Sequence, residues 1–305
     1  MKQGTLVEST FTLLATTLGS GIITLPYLSA QNGIVFAALL IIFGAIVTYF
    51  TGMLLVECAE KIGKYKYENF AEYCWGSKMA KFAGICNVIT LLGFVVSYIV
   101  FIKTLVPHIL IVMFGEDNIP ELLGSDQWKG QIVWATIYTI LIMIPLSIPR
   151  KVGTLEYISS FGFLWATYLA LCLVFLFFTD RSLVPNIGDN IKKAEYFTIS
   201  IKGIASSIPF VIFAFMYQPT VPIIYNELND KTTSGMRKVL IFGSIVVVIL
   251  YIVASSFGYL GVITQPSLLD TLLSSSNVLE VDYKNWAFNV AVLGLLFTVI
   301  AAVPM

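Results

Sequence analysis

The chain has 305 residues, of which 57% are apolar and only 12% are charged. Soluble proteins carry about 25% charged residues, so this chain has too little polar surface for a water-soluble enzyme or a nucleic-acid-binding protein. The 18 basic and 18 acidic residues cancel, so only their positions along the chain are informative. The composition predicts that the lipid bilayer is the solvent for most of the chain.

Eight long apolar runs predict an all-α, multi-pass membrane protein. A helix needs about 20 residues to cross the hydrocarbon core, and a backbone exposed to lipid must satisfy its own hydrogen bonds. The runs are continuous and do not alternate with polar residues, which favours helices over barrel strands. They cover residues 8–30, 33–57, 83–114, 131–149, 153–179, 199–225, 239–263 and 286–304.

The basic residues are divided unequally between the two sides of the predicted bundle. With the N-terminus inside, eleven lie in the cytoplasm: Lys2, Lys61, Lys64, Lys66, Lys78, Lys81, Arg150, Lys151, Lys231, Arg237 and Lys238. Six lie outside: Lys129, Arg181, Lys192, Lys193, Lys202 and Lys284. Lysine and arginine accumulate in cytoplasmic loops, so the pattern predicts a cytoplasmic N-terminus.

The segment 65–82, between the second and third runs, is polar with scattered aromatic residues. This pattern predicts a short amphipathic helix on the inner membrane face. A helical linker that rests on the bundle fits the same pattern, and both interpretations stay open.

The first run carries an interruption that a plain membrane anchor does not need. Its centre reads Thr16-Thr17-Leu18-Gly19-Ser20-Gly21-Ile22-Ile23-Thr24-Leu25-Pro26-Tyr27. Glycine weakens a helix by about 1 kcal/mol and proline by about 3 kcal/mol, which predicts an unwound point near mid-membrane. Taken alone, the glycine pair also fits a packing notch for a neighbouring helix.

The sixth run has a matching interruption, Pro209-Phe210-Val211-Ile212-Phe213-Ala214-Phe215-Met216-Tyr217-Gln218-Pro219-Thr220-Val221-Pro222. Runs one and six each begin a set of five, and paired breaks at corresponding positions of two repeats indicate a transporter binding site. Freed amides suit a carboxylate and freed carbonyls suit an ammonium, so the site fits a zwitterion. The candidate substrate-binding residues are Thr17, Gly19, Ser20, Gly21, Ile22, Phe213, Ala214, Phe215 and Tyr217.

Several motifs resemble the amino acid/auxin permease family of the amino acid–polyamine–cation superfamily, especially its neutral and vacuolar amino acid transporters. The resemblance covers essentially the whole chain. The Gly19–Tyr27 run with Asn32-Gly33 resembles the first-helix signature, and Ser97-Tyr98 resembles the third helix. The most specific match is Pro209-x-x-x-Phe213-Ala214-Phe215-x-x-x-Pro219-x-x-Pro222-Ile223-x-Tyr225-Asn226-Glu227-Leu228. The resemblance adds Tyr98 to the candidate substrate-binding residues.

The resemblance implies two inverted five-helix repeats and one extra helix, with helices 1 and 6 broken. Residues 1–305 are expected to form a single transmembrane transporter domain, with helices 1–5 in about 8–179 and helices 6–8 in about 199–304. Helices 9 to 11 would then be missing, so the sequence is expected to be a truncated chain. The family transports amino acids across the plasma membrane or the vacuolar or lysosomal membrane, and the sequence does not separate these locations.

Two departures from the sodium-coupled members concern the coupling ion. Many of those members carry an asparagine where this chain has Ala15, and a helix 8 hydroxyl where it has Ile300–Ala302. Sodium would have to rely on backbone carbonyls, Thr16 and Thr298. We therefore expect H⁺ coupling or exchange in preference to Na⁺.

The sequence carries no catalytic constellation, no metal-ligand cluster and no nucleotide-binding motif, so no enzymatic activity and no cofactor are expected. The predicted function is secondary transport of neutral amino acids, with the amino acid and the lipid bilayer as partners. Two alternatives remain: an amino acid sensor with the transporter fold, and an inactive truncated transporter.

Overall fold

A computed structural model describes residues 5–18, 20–114, 118–124, 128–147, 155–229, 231–281, 283 and 285–302. Among these residues all regular elements are helical, which confirms the all-α prediction. The α-helices are α1 (Leu6–Thr17), α2 (Leu25–Asn32), α3 (Ile34–Ile62), α4 (Tyr67–Trp75), α5 (Ser77–Phe114), α6 (Glu121–Gly124), α7 (Trp128–Ile137), α8 (Ile144–Ser147), α9 (Leu155–Thr179), α10 (Ile187–Lys193), α11 (Ile201–Ala214), α12 (Val221–Glu227), α13 (Thr233–Val262), α14 (Pro266–Ser275) and α15 (Trp286–Ala302).

Most of the predicted spans appear as helices of membrane-crossing length. Within the described ranges, five apolar segments are long enough to cross a bilayer: Ile34–Ile62, Ser77–Ile111, Gly162–Thr179, Ile201–Glu227 and Thr233–Val262. Leu6–Thr17 and Gly21–Asn32, which bend by 46° at the break between them, are together long and apolar enough for a sixth span. These helices confirm a polytopic membrane protein, whereas the inverted repeat and the single-domain organisation stay predictions.

The two remaining predicted spans are shorter or irregular. The fourth begins as α7, passes through the π-helical turn Tyr138–Met143 and ends in α8. The eighth corresponds to α15, whose 17 described residues are at the lower end of the length that crosses a bilayer.

The segment between the second and third spans contains a short helix, as the sequence predicts, and its place on the inner membrane face stays a prediction. Helix α4 ends at Trp75, and α5 begins two residues later at Ser77. Gly76 has a φ of 82°, a left-handed conformation that glycine adopts without steric cost and that stops the helix. Phe70 is buried, whereas Tyr73 and Trp75 are exposed, so α4 points aromatic side chains away from the bundle.

Helix α13 is the central element against which both halves of the broken first span pack. Leu13 of α1 lies against Gly243, and Pro26 of α2 lies against Gly258. The Ser255 hydroxyl donates to the Leu25 carbonyl at 2.7 Å. These contacts attach α1 and α2 to one helix, which positions the break between them.

The segment 194–200, between α10 and α11, crosses the junction between α2 and α3. The Ile34 amide donates to the Glu195 carbonyl at 3.0 Å, and the Thr198 amide donates to the Asn32 carbonyl at 2.8 Å. At this junction Gly33 has a φ of 79°, and a Cβ there would lie 2.6 Å from the Tyr196 backbone. The close approach accounts for a glycine at this turn.

Candidate functional site: two helix breaks that meet

The first break separates α1 from α2. Helix α1 starts with a capping box in which the Thr5 amide donates to Glu8 Oε2 at 2.6 Å and the Glu8 amide donates to Thr5 Oγ1 at 3.3 Å. It ends at Thr17, and the chain continues as the 3₁₀ turn Ser20–Thr24 before α2 begins. Pro26 lies in the first turn of α2, where its missing amide hydrogen costs little. The sequence prediction of a break at this point is confirmed.

The second break separates α11 from α12. Helix α11 ends at Ala214, and Phe215 leaves the helical conformation with a φ of −107° and a ψ of 15°. A 3₁₀ turn over Gln218–Thr220 follows, and α12 starts with Pro222 in its first turn. This interruption also occurs where the sequence predicts it.

The two breaks are in direct contact. A Cβ added to Gly21 would lie 2.7 Å from Ala214 Cα and 2.9 Å from Ala214 Cβ, closer than real Cβ atoms approach. Only glycine at position 21 lets the two backbones come this close. The contact shows that Gly21 is a packing notch and also part of the helix break, so both interpretations apply at this glycine.

Two freed carbonyl groups converge on one hydroxyl. Thr17 and Ala214 are the last residues of α1 and α11, where carbonyl groups lack partners within their own helix. The Tyr251 hydroxyl of α13 donates to the Thr17 carbonyl at 2.7 Å and to the Ala214 carbonyl at 2.8 Å. The negative ends of two half-helices therefore meet at a single buried point.

Most predicted site residues with described side chains lie near the breaks. Gly21, Ile22, Thr17, Ala214 and Phe215 are all buried. Tyr217 is buried in a separate apolar cluster with Leu13 and Met53. Gly19 lies outside the described residues. Ser20 begins the 3₁₀ turn and Thr298 lies in α15, but the structure describes only the backbone of these two residues.

The structure does not bring Tyr98 and Phe213 to the point where the breaks meet. Tyr98 of α5 packs in another apolar cluster, with Ile102 and Tyr138. Phe213 is half-buried and faces Phe94 of α5, with ring centroids 6.0 Å apart.

Sequence reasoning missed three residues that shape the site. Tyr251 supplies the shared donor, Ser244 lies 3.3 Å from the Tyr217 hydroxyl, and Gly44 of α3 leaves room for the Phe215 ring. A tyrosine in the middle of the apolar run 245–253 is a usable signal, because a hydroxyl at membrane depth requires a partner. The sequence does not identify that partner.

The polar side chains buried in the described part of the chain are all uncharged. They are Ser9, Thr17, Ser29, Asn32, Thr48, Asn190, Ser207, Ser244, Ser255 and Asn277. The Thr16 hydroxyl donates to the Leu13 carbonyl at 2.9 Å, and the Thr17 hydroxyl donates to the same carbonyl at 2.6 Å. A cationic or anionic side chain of a ligand would find no buried counter-charge among these residues.

Comparison with known proteins agrees with this geometry. The profile of the family described as transmembrane amino acid transporter protein matches residues 2–305. The sodium-coupled neutral amino acid symporter 2 of Danio rerio is 27% identical over 284 residues, which cover 86% of this chain and 55% of that protein. The chain thus spans about half the length of this relative. Because the family match extends over essentially the whole sequence, the chain belongs to the transmembrane amino acid transporter protein family.

Proposed function

We propose that this protein moves neutral amino acids across a membrane by secondary transport. The observation that carries the proposal is the meeting of two interrupted helices, with the Thr17 and Ala214 carbonyls at one buried point. Helix breaks at membrane depth leave backbone groups without partners, which proteins tolerate where those groups face a ligand or a cavity. Two helix C-termini favour a positive group, and an amino acid supplies one in its ammonium.

The preference for neutral amino acids follows from the uncharged surroundings of the breaks. Apolar and aromatic side chains such as Ile22 and Phe215 pack there, and the polar side chains buried within the described ranges carry no charge. Placing an unpaired charged side chain in such surroundings is costly. The Danio rerio relative is by name a neutral amino acid symporter, which supports the same substrate class.

We further propose that the driving force is a proton gradient or amino acid exchange. Ala15 offers no side-chain oxygen, and sodium requires several oxygen ligands. The Thr17 and Ala214 carbonyls already accept hydrogen bonds from Tyr251. The relative is by name sodium-coupled, so the coupling ion needs a direct test.

Initial uptake of labelled alanine and leucine into proteoliposomes tests both proposals. We expect uptake to persist when choline replaces sodium and to fall when an uncoupler collapses an imposed pH gradient. The variant Ala15→Asn is the matched test, because it restores a side-chain oxygen and is expected to introduce a response to sodium. Loss of wild-type uptake in choline, with no response to the uncoupler, would contradict proton coupling. Binding of amino acid without uptake would favour the sensor function.

We also propose that the N-terminus and α4 face the cytoplasm, with Asp189 on the opposite side. Asp189 and Cys74 are both exposed, so cysteines at these positions are accessible to thiol reagents. In an Asp189→Cys variant that also carries Cys58→Ser and Cys86→Ser, a membrane-impermeant maleimide should label position 189 in intact cells. Cys74 should react only after permeabilisation, which makes it the internal control. The opposite order of labelling would reverse the proposed orientation.

A further inference from the structure

Tyr251 is a single hydrogen-bond donor shared by two helix ends. Its hydroxyl oxygen lies 2.7 Å from the Thr17 carbonyl oxygen and 2.8 Å from the Ala214 carbonyl oxygen. A phenolic hydroxyl has one proton, so it donates fully to one carbonyl at a time or divides between both. The Tyr251 side chain has no exposed surface, so bulk water does not supply the missing donor. Two acceptors therefore compete for one proton.

A primary ammonium group removes this shortage of donors. It carries three N–H groups and a positive charge, and both carbonyls lie at the negative ends of half-helices. Hydrogen bonds from a charged donor are roughly twice as strong as those between neutral groups. An ammonium that reaches this point satisfies both carbonyls better than the tyrosine does.

We propose that Tyr251 holds the two breaks together while the site is empty, and that the ammonium of the arriving amino acid displaces its hydroxyl from the Thr17 and Ala214 carbonyls. This inference rests on the proposed transport function and names the residue that the substrate displaces. The Tyr251 ring packs edge-on against Phe215, with centroids 5.3 Å apart, and this contact holds the ring in place when the hydroxyl loses its partners. Tyr251 is thus a positioning residue that links substrate binding to release of the two breaks.

Equilibrium binding to the Tyr251→Phe variant in detergent tests the proposal. The substitution removes the competing donor and keeps the ring, so the Kd for labelled alanine and leucine should fall about tenfold, the equivalent of one neutral hydrogen bond. The KM for uptake should fall by a similar factor. The corresponding carboxylic acids, propionate and 4-methylpentanoate, lack the ammonium and should show no gain in affinity.

Tyr259→Phe is the matched control on the same helix. The Tyr259 hydroxyl accepts a hydrogen bond from the Glu195 amide at 3.3 Å, in the segment 194–200 and away from the breaks. The Tyr259→Phe substitution removes a tyrosine hydroxyl from α13 without changing the hydrogen-bond donor at the Thr17 and Ala214 carbonyls. The Kd of this variant should equal that of the wild type.

A second variant covers the case in which Tyr251→Phe does not fold. Incorporation of 3-fluorotyrosine at position 251 nearly preserves the shape of the ring and makes the hydroxyl a stronger donor, so the Kd should rise. A folded Tyr251→Phe protein with an unchanged or higher Kd overturns the proposal, as does a lower Kd with fluorotyrosine. If the wild-type protein binds alanine in detergent but moves none into vesicles, the proposed transport function is wrong, while the displacement of Tyr251 is not contradicted. Wild-type protein that binds neither amino acid overturns both proposals.

Discussion

Gly21→Ala is expected to reduce amino acid uptake at least tenfold while the protein still inserts into the membrane. The new Cβ would lie 2.7 Å from Ala214 Cα, a backbone atom that cannot move away as the end of a flexible side chain does. It would also lie 3.3 Å from the Tyr251 hydroxyl oxygen, so the two breaks must separate at the point where their carbonyls converge. Overpacking of this kind costs roughly 1–3 kcal/mol. Gly21→Leu, with a larger side chain, should abolish uptake.

The matched control for this prediction is Gly93→Ala. Gly93 is also a glycine within a membrane-spanning helix, but a Cβ added there would meet no atom within 4 Å. Initial uptake into proteoliposomes, normalised to inserted protein, should be close to wild type for Gly93→Ala and strongly reduced for Gly21→Ala. Equal uptake by the two variants would show that close contact between the breaks is not needed for transport.

Gly258→Ala is expected to lower the free energy of unfolding by roughly 1–3 kcal/mol, because it separates the central helix α13 from α2. A Cβ at position 258 would lie 2.6 Å from Pro26 Cγ and 2.9 Å from Pro26 Cβ. The proline ring is rigid and lies in the first turn of α2, so the helix as a whole would have to shift. Such a shift would also strain the hydrogen bond from the Ser255 hydroxyl to the Leu25 carbonyl.

Gly261→Ala separates this packing effect from the intrinsic helix preference of alanine. Gly261 is one turn further along the same helix and is also buried, but its nearest atoms to an added Cβ are 3.7 and 3.9 Å away, which is ordinary contact. Alanine should therefore be neutral there or stabilise the protein by up to about 1 kcal/mol. Thermal unfolding of both variants in detergent measures the difference. A Gly258→Ala protein as stable as Gly261→Ala would mean that α2 adjusts to the extra methyl group without cost.

Properties that depend on composition and on neighbours along the chain could be predicted from the sequence. An apolar content of 57% places most of the chain in the lipid bilayer, and the lengths of the apolar runs determine where most membrane spans lie. Both breaks were also predictable, because glycine and proline weaken the helix at their own positions whatever surrounds them. The short helix within 65–82 was predictable too, but the pattern of polar and aromatic residues did not show that it ends before Gly76, where φ is 82°.

The arrangement of the site was decided by tertiary packing. The Tyr251 hydroxyl meets a carbonyl 234 residues away and another 37 residues away, and no local pattern encodes either pairing. The predicted residues Tyr98 and Phe213 have suitable chemistry for a binding site, yet packing places Tyr98 against Tyr138 and turns Phe213 towards Phe94. Sequence determines whether a residue favours a helix, a break or an apolar environment, because those preferences are local. Which groups share one buried point depends on the relative positions of whole helices, and here those positions follow from close contacts such as those at Gly21 and Gly258.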